Sequence, residues 1–152
     1  MNHARGDPDD VREMLTSPNA MFGLPDAGAH CNSIRDGSFP TTAITHWTRD
    51  RTRGPKLPLE YVVHRQTLQT AQLYGLGDRG LVAPGLRADL NVIDYDGLSF
   101  GTPRMAFDLP AQGRRLVQRA SGYRATFVAG EQTVADDEFT GILPGRLLRG
   151  PR

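Results

Sequence analysis

The clearest hydrophobic pattern lies between Pro58 and Gly75, in the stretch PLEYVVHRQTLQTAQLYG. Its side chains recur at helical spacing near one face: Leu59, Val62, Val63, Thr67, Thr70, Ala71 and Tyr74. Because proline suits the first helical turn and glycine ends helices, the pattern predicts one helix over 59–74. His64 lies inside this helix, where a packed or solvent-facing histidine is more common than a ligand.

A helix followed by a short apolar run opens the chain. In GDPDDVREML, Asp7 can cap a helix, Pro8 suits its first position and Asp9 suits its positive end. The run AMFGL (20–24) then predicts a short buried strand. Such a helix and strand, joined by turn residues, are typical of an α/β layer. Residues 27–58 show only one or two helical turns, in TTAITHWTRD.

The pattern changes near residue 76. A Pro-Gly turn precedes a buried strand predicted over 89–95, and GYRATFVAGEQTVAD predicts two short strands around Gly130 and Glu131. Glycine first in a two-residue loop favours a type II′ hairpin. Helix and strand alternate before this point, and short strands with turns follow it. We therefore expect two domains: 1–76 and 77–152.

Composition narrows the class of protein. The chain has 152 residues and a net charge of +1, so its charge indicates neither nucleic acid nor an acidic surface as a partner. Cys31 is the single cysteine, which excludes an intramolecular disulfide and a CxxC metal knuckle. No apolar run approaches the roughly 18 residues of a membrane span, and the N-terminus has no secretory h-region. We therefore expect a cytoplasmic protein that does not bind membranes.

Two candidate patterns, GLGDRG and the four histidines, lack the surroundings that a functional site would need. GLGDRG (75–80) fits GxGxxG, but the dinucleotide fingerprint needs a strand before it and a helix after it, whereas here a helix precedes it. The four histidines, at positions 3, 30, 46 and 64, contain no His-x-His pair. His30 and Cys31 are adjacent, and neighbours on an extended chain point to opposite sides. We therefore do not expect a complete metal site within this chain.

Asp26 is the strongest candidate for chemistry. It follows the predicted strand AMFGL, and in α/β barrels the side chains at the carboxyl ends of strands form the active-site mouth. Gly28 and Ala29 leave space beside it for a metal ion or substrate. The alternative is that Asp26 is a turn residue, because Pro-Asp-Ala-Gly is also typical of turns.

Three stretches resemble a known family: FGLPDAGAH (22–30), LPLEYVVHRQTLQTAQLYGLGDRGLVAPGLRADLNVIDYD (57–96) and YRATFVAGEQTVADDEFTGILPGRLLRG (123–150). Together they resemble the C-terminal part of an amidohydrolase, and most closely the N-acyl-D-amino-acid deacylase (D-aminoacylase) branch. The stretch GLVAPGLRADLNVID is the most characteristic of the superfamily, and the TG-x-LPGRLLRG ending is characteristic of the branch. The resemblance implies an α/β fold: the last strand and helix of a (β/α)8 barrel, then the C-terminal strands of a small β-sandwich.

The resemblance also implies metal-dependent hydrolysis of a non-peptide C–N bond in a small N-acylated substrate, usually with zinc. In this scheme Asp26 follows the eighth barrel strand, contacts the metal-held water, takes its proton and passes it to the leaving nitrogen. Asp26 is thereby also this chain's one candidate metal ligand, and His30 is a candidate substrate-binding residue at the mouth. Arg35 and Arg53 could hold a substrate carboxylate there, or could equally face solvent.

Much of the family's metal site has no counterpart in this sequence. The His-x-His, the bridging ligand and two later histidines are missing, and a barrel alone takes roughly 250 residues. We therefore expect a chain that begins just before the eighth strand and is inactive by itself. The remaining ligands would come from an N-terminal barrel fragment or a lost segment, and a homo-oligomer is a further possible assembly. Pro25 departs from the expected strand end because it supplies no N–H to a neighbouring strand.

Two other functions stay open: a non-catalytic structural or assembly module, and a truncated remnant of such an enzyme. A barrel strand without its neighbours leaves backbone groups unpaired and apolar side chains uncovered. For the chain by itself we therefore expect exposed apolar surface around four residues: Met21, Phe22, Val62 and Val63.

Overall fold

The computed structural model describes residues 8–23 and 36–148, and the N-terminal half of this part is helical. Its helices are α1 (Asp9–Thr16), α2 (Phe39–Ile44), a π-helical turn that continues α2 (Thr45–Asp50), α3 (Leu59–Gln66) and α4 (Leu68–Leu73). Pro8 directly precedes α1, and Asp9 and Asp10 lie in its first turn, where carboxylates suit the helix dipole. The predicted first helix is therefore confirmed. The helical turns in TTAITHWTRD are confirmed as well.

The helix predicted over 59–74 is two helices with a break at Thr67. The backbone of Thr67 leaves the helical region, with φ −118° and ψ −90°. Its hydroxyl donates to the carbonyl of Val63 at 2.8 Å, and the Thr70 hydroxyl donates to the carbonyl of Arg65 at 2.8 Å. Threonine hydroxyls that bond to the preceding turn bend helices, which accounts for the break. His64 is exposed, which is one of the two placements, packed or solvent-facing, that the sequence predicts.

The buried strand predicted at 20–24 is not found in the part that the structure describes. Residues 20–23 belong to no strand, and Leu24 lies outside the described residues. Phe22 is instead held by its side chain, which is buried in the apolar core. A strand needs a neighbouring backbone for its hydrogen bonds, and no described strand lies beside this segment.

The expectation of exposed apolar side chains is wrong for two of its four residues. Phe22 is 8% exposed and Val62 is completely buried, because both pack into the core cluster with Trp47 and Leu98. Val63 is exposed as expected, and Met21 is partly buried. The chain thus covers these side chains with its own residues.

Short antiparallel strands form the C-terminal half. They are β1 (Leu90–Ile93), β2 (Ser99–Phe100), β3 (Arg104–Leu109), β4 (Gly113–Val117), β5 (Ala120–Ser121), β6 (Tyr123–Val128), β7 (Glu131–Ala135) and β8 (Glu138–Phe139). Among the described residues the order β1–β6–β7–β8 makes a four-stranded sheet, while β2–β5 and β3–β4 form two-stranded sheets. The fold is therefore mixed α/β, as predicted. The barrel and the β-sandwich stay predictions.

The β6–β7 hairpin has a different turn from the predicted one. Val128 pairs with Glu131, so the two loop residues are Ala129 and Gly130 rather than Gly130 and Glu131. Both have positive φ, 54° and 86°, which is the signature of a type I′ turn. The reason lies outside the hairpin: the Ala129 N–H donates to the Asp89 carboxylate at 2.7 Å, which holds an alanine in a conformation it rarely adopts.

Two hydroxyl pairs and one arginine attach the helices to the sheets. The Thr41 and Tyr123 hydroxyls lie 2.7 Å apart, and those of Thr48 and Tyr95 lie 2.8 Å apart. Arg49 extends from the π-helical turn and donates to three backbone carbonyls of the β1–β2 connection: Tyr95, Asp96 at 3.0 Å and Leu98 at 2.8 Å. Residues on both sides of position 76 thus share one core.

The turn geometry predicts a stabilising substitution. Ala129→Asn should raise the free energy of unfolding by about 0.5–1 kcal/mol, because asparagine tolerates positive φ and Asn-Gly is the preferred type I′ pair. Urea denaturation of the two proteins measures the change. As a matched control, Gly130→Ala should lower stability by about 1 kcal/mol, since it adds strain without meeting any neighbouring atom within 4 Å. Equal effects of the two substitutions would contradict this account.

The Arg49–Asp50 pair predicts a pH dependence. Hydrogen bonds from Arg49 hold the pKa of the Asp50 carboxyl below its ordinary value of 3.8. Because the folded pKa is the lower one, the stabilisation is present above pH 3.8 and is lost as pH falls through the folded pKa. We expect Asp50→Asn to lose less stability than the parent between pH 5 and pH 2. Arg49→Met should flatten the same acid limb, and an unaltered limb in both variants would refute the assignment.

Candidate functional site

The two residues predicted to carry the chemistry, Asp26 and His30, lie outside the described residues, as do Cys31 and Arg35. Arg53 is described and exposed. The remaining described histidines are apart from any acidic cluster: His64 faces solvent, and His46 packs edge-on to Trp47 with ring centroids 5.1 Å apart. The residues predicted to form the centre of the site are therefore outside the part that the structure describes.

The donor side chains of the described residues do not form a metal site. Over residues 8–23 and 36–148, no group of three or more histidine, cysteine, aspartate or glutamate side chains could hold a metal ion. Catalytic zinc normally takes three protein ligands. The described residues therefore do not fit a metal centre.

An aromatic anchor lies four residues before Asp26 in the chain. Phe22, four residues before Asp26, is 8% exposed and packs edge-on to Phe39, with ring centroids 5.8 Å apart. Burying a phenylalanine side chain contributes roughly 1.5–3 kcal/mol. The chain that leads to the candidate carboxylate is thus attached to the core up to this residue.

A buried arginine on α3 contacts the same segment. The Arg65 side chain donates from Nη2 to the carbonyl oxygens of Ser17, at 3.3 Å, and Ala20. Its guanidinium carbon lies 5.4 Å from the ring centroid of Phe22 and 5.6 Å from that of Tyr61. The Tyr61 hydroxyl donates to the carbonyl of Leu15 at 3.0 Å. The residues that connect α1 to Phe22 are therefore held by side chains of α3.

A second buried arginine holds α1. Arg51 is 3% exposed, lies over the Trp47 ring with its guanidinium carbon 4.8 Å from the centroid, and pairs with Asp9. Gly54 makes this approach possible. Its φ is +73°, and a Cβ atom there would lie 2.5 Å from Nη2 of Arg51 and 2.9 Å from Asp9 Oδ1.

Sequence reasoning missed these arginines, although one signal was present. Arg65 follows Val62 by three residues, so it falls on the apolar face of the predicted helix rather than its polar face. A charged residue on an apolar face indicates a buried partner. Arg51 gave no such signal, because it lies between the helices and outside any periodic pattern.

A groove of about 460 Å³ lies between the β3–β4 hairpin and the four-stranded sheet. Both of its aspartates are already bonded. The Asp108 oxygens accept from Arg115 at 2.7 and 2.8 Å, and those of Asp137 accept from the backbone N–H groups of Gly122 and Tyr123 at 3.0 and 2.6 Å. Hydrogen bonds from Arg115 hold the pKa of Asp108 below its usual value. Neither carboxylate is poised as a general base, so this groove does not resemble a hydrolytic centre.

Comparison with known proteins gives a consistent match. A sequence model described as "Amidohydrolase family" matches residues 1–134. The D-aminoacylase of Alcaligenes xylosoxydans xylosoxydans is 33% identical over 112 residues, which is 74% of this chain and 20% of that protein. The N-acyl-D-aspartate deacylase of the same organism is 37% identical over 93 residues, 60% of this chain and 17% of that protein.

A further relative, an uncharacterised protein of Mycobacterium tuberculosis, is 32% identical over 88 residues, 57% of this chain and 14% of that protein. The matched residues thus span a fifth or less of each of these curated relatives. No solved structure matches the chain. None of the helices in the described part is long and apolar enough to cross a bilayer.

The Arg51–Asp9 contact predicts that substitution of Gly54 lowers the stability of the chain. Gly54→Ala should destabilise the chain by roughly 2–3 kcal/mol, because it adds the strain of a positive φ and displaces the buried guanidinium. Gly85→Ala is the matched control: φ there is also positive, at +86°, but an added Cβ meets nothing within 4 Å. It should cost about 1 kcal/mol, the strain alone. Chemical denaturation measures both, and equal losses would show that the Arg51 contact is unimportant.

Proposed function

The chain belongs to the amidohydrolase family, and we propose that it forms the C-terminal part of a hydrolase that cleaves the amide bond of N-acylated amino acids. The observation that carries this proposal is the family match over residues 1–134 together with two relatives named as a D-aminoacylase and an N-acyl-D-aspartate deacylase. In this proposal 1–76 belongs to the catalytic barrel and 77–152 to the C-terminal β-domain. The substrate is a small molecule that carries an acyl group on nitrogen.

In this proposal Asp26 is the general acid and base. Its carboxylate accepts a proton from the attacking water as the new C–O bond forms at the amide carbon. The same proton is then given to the leaving nitrogen as the C–N bond breaks, which yields a carboxylic acid and an amine. General acid–base catalysis of this kind contributes roughly 10²–10⁴-fold to the rate. The buried anchor at Phe22 supports this role, because a proton shuttle requires a fixed approach.

A metal ion and the substrate contacts complete the proposal. Amidohydrolases are generally metal-dependent, and zinc is the metal we propose, with Asp26 as this chain's candidate ligand. A metal would polarise the amide carbonyl and lower the pKa of bound water. The other ligands would come from polypeptide beyond these 152 residues. His30, four residues after Asp26, is the proposed substrate-binding residue, for which its N–H groups suit an amide or carboxylate oxygen.

The ligand count predicts an inactive chain. The purified 152-residue chain, supplied with zinc, should not hydrolyse N-acetyl-D-aspartate above the level of a buffer blank, because one candidate ligand cannot hold catalytic zinc. Amine release in a ninhydrin-type assay measures this. The Asp26→Ala chain serves as the control for contaminating host enzyme. Zinc-dependent hydrolysis that is present in the parent and absent in the control would overturn the prediction.

The role of Asp26 is testable in a chimera of the Alcaligenes D-aminoacylase that carries this chain in place of the matching segment. Asp26→Asn should lower kcat at least about 10²-fold, since the amide keeps the size of the side chain but cannot take the proton. Asp10→Asn, the same chemical change at an exposed position of α1, should leave kcat unchanged. A kcat change below threefold in a folded Asp26→Asn chimera would assign Asp26 to the turn instead.

An inactive parent chimera would argue against the family function as a whole. In that case the non-catalytic structural module becomes the better description of this chain. Circular dichroism of the chimera separates this outcome from misfolding.

A further inference from the structure

The carbonyl oxygens of Ser17 and Ala20 and the ring of Phe22 converge on one guanidinium, that of Arg65. We propose that Arg65 is a positioning residue: it fixes residues 17–22 and thereby sets the direction in which the chain leaves the core toward Asp26. The catalytic meaning of this role rests on the proposed function of Asp26. The physical claim about residues 17–22 stands on the described contacts alone.

The environment of Arg65 is unusual for an arginine. The residue is 3% exposed, and none of the ion pairs among the described residues includes it. Its Nε has no hydrogen-bond partner among residues 8–23 and 36–148. Burial of a charge without a carboxylate partner is costly, and the attractive contacts that offset it are two carbonyl oxygens and two aromatic faces. All of these contacts except the Tyr61 ring belong to residues 17–22.

The segment has few other restraints. The Ala20 N–H donates to the Ser17 carbonyl at 3.3 Å, which closes a loose turn after α1. The backbone of Met21, Phe22 and Gly23 makes no hydrogen bond to another described residue. Loss of the Arg65 contacts would therefore leave the burial of the Phe22 ring as the main restraint on residues 20–23.

Only arginine has the shape for these contacts. The guanidinium is a planar fork, so one face can stack on a ring while the N–H groups at its edge donate to two carbonyls. A lysine ammonium carries the same charge but has neither the plane nor the fixed fork. Comparing arginine with lysine at this position therefore distinguishes positioning by the shape of the guanidinium from a requirement for positive charge alone.

Arg51 provides the matched comparison. It is equally buried and also lies over an aromatic ring, that of Trp47, but it holds Asp9 of α1 rather than the carbonyls that precede Phe22. Removal of either guanidinium should therefore destabilise the fold. Only removal of Arg65 should loosen residues 20–23.

The experiment measures backbone ¹⁵N order parameters of the full 152-residue chain. In Arg65→Met we expect the values at Phe22 and Gly23 to fall from about 0.85, typical of rigid backbone, to below about 0.6. Arg65→Lys should give intermediate values. Arg51→Met should leave Phe22 and Gly23 unchanged and lower the values in α1. Unchanged values in Arg65→Met, or an equal fall in Arg51→Met, would overturn the proposal.

A second variant decides the role of Arg65 if Arg65→Met fails to fold. If Arg65→Met loses the fluorescence signature of buried Trp47, Arg65→Lys becomes the deciding variant, since it keeps the charge and most of the volume. Lower order at Phe22 and Gly23 in that folded variant supports the proposal. Order equal to that of the parent shows that positive charge alone suffices and contradicts positioning by the planar guanidinium.

The chimera with the Alcaligenes D-aminoacylase tests whether positioning by Arg65 affects kcat. Arg65→Met should lower kcat tenfold or more with KM changed less than threefold, because Arg65 touches no substrate in this proposal. Arg51→Met should keep kcat within threefold of the parent. If Asp26→Asn has no effect on kcat, the proposed role of Asp26 fails while the order parameters still decide the role of Arg65. If Asp26→Asn is inactive and Arg65→Met is fully active, the positioning role alone fails.

Discussion

The packing of one apolar cluster, supplied from both halves of the chain, is the constraint on which the rest of the described structure depends. Val62 of α3 and Leu98 of the β1–β2 connection are both completely buried in it, and Trp47 of the π-helical turn belongs to the same cluster. Because these residues are distant in sequence, neither half buries its apolar face without the other. The hydroxyl pairs that join threonines of the helices to tyrosines of the sheet lie at the edge of this cluster and fix its orientation.

Three arginines extend this core where apolar side chains could not. Arg49, Arg51 and Arg65 each place the guanidinium over an aromatic ring, and each directs its N–H groups to oxygens of a segment that approaches the core. Irregular segments contain backbone carbonyls that no helix or strand hydrogen bond satisfies. Burying such a carbonyl without a donor costs free energy. Arg49 and Arg65 pair such carbonyls, whereas Arg51 pairs with the Asp9 carboxylate. A leucine in place of Arg49 or Arg65 would fill the volume but leave the carbonyls unpaired. The arginines thus connect the β1–β2 turn, α1 and the segment before Phe22 to one helical framework.

The sequence pattern predicted the elements whose stability is local. The first helix and the strand predicted over 89–95 follow from spacing and end signals, and the structure has both, the strand as β1. The prediction that this strand is buried is wrong, because none of its four residues is buried and Val92 is 51% exposed. The pattern could not predict the break at Thr67, because the same threonine can continue a helix or bond back to the preceding turn. It also missed the type I′ turn at Ala129, since the conformation there is fixed by a hydrogen bond that the Ala129 N–H donates to the carboxylate of Asp89, forty positions away. Contacts between distant residues leave no periodic signal.

The conformation of the segment before Asp26, the candidate catalytic residue, also could not be predicted from the sequence pattern. The run AMFGL has the composition of a buried strand, and a barrel strand would be held by hydrogen bonds to both neighbours. In the described part, residues 17–23 are held instead through the Phe22 ring and the carbonyls of Ser17 and Ala20. Pro25 agrees with this arrangement, because it carries no N–H to give to a neighbouring strand.

A carboxylate that shuttles a proton must stay within hydrogen-bond distance of both water and leaving nitrogen, so its approach requires some rigid attachment. In the proposed mechanism this attachment reaches as far as Phe22: α3 holds the preceding carbonyls through Arg65, and the Phe22 ring packs on Phe39 of α2. The rigidity of residues 17–22 therefore depends on how α2 and α3 pack, and on the buried charge of Arg65, more than on any strand pairing. In that proposal a substitution on α3 alters the order of the segment that precedes Asp26 in the chain.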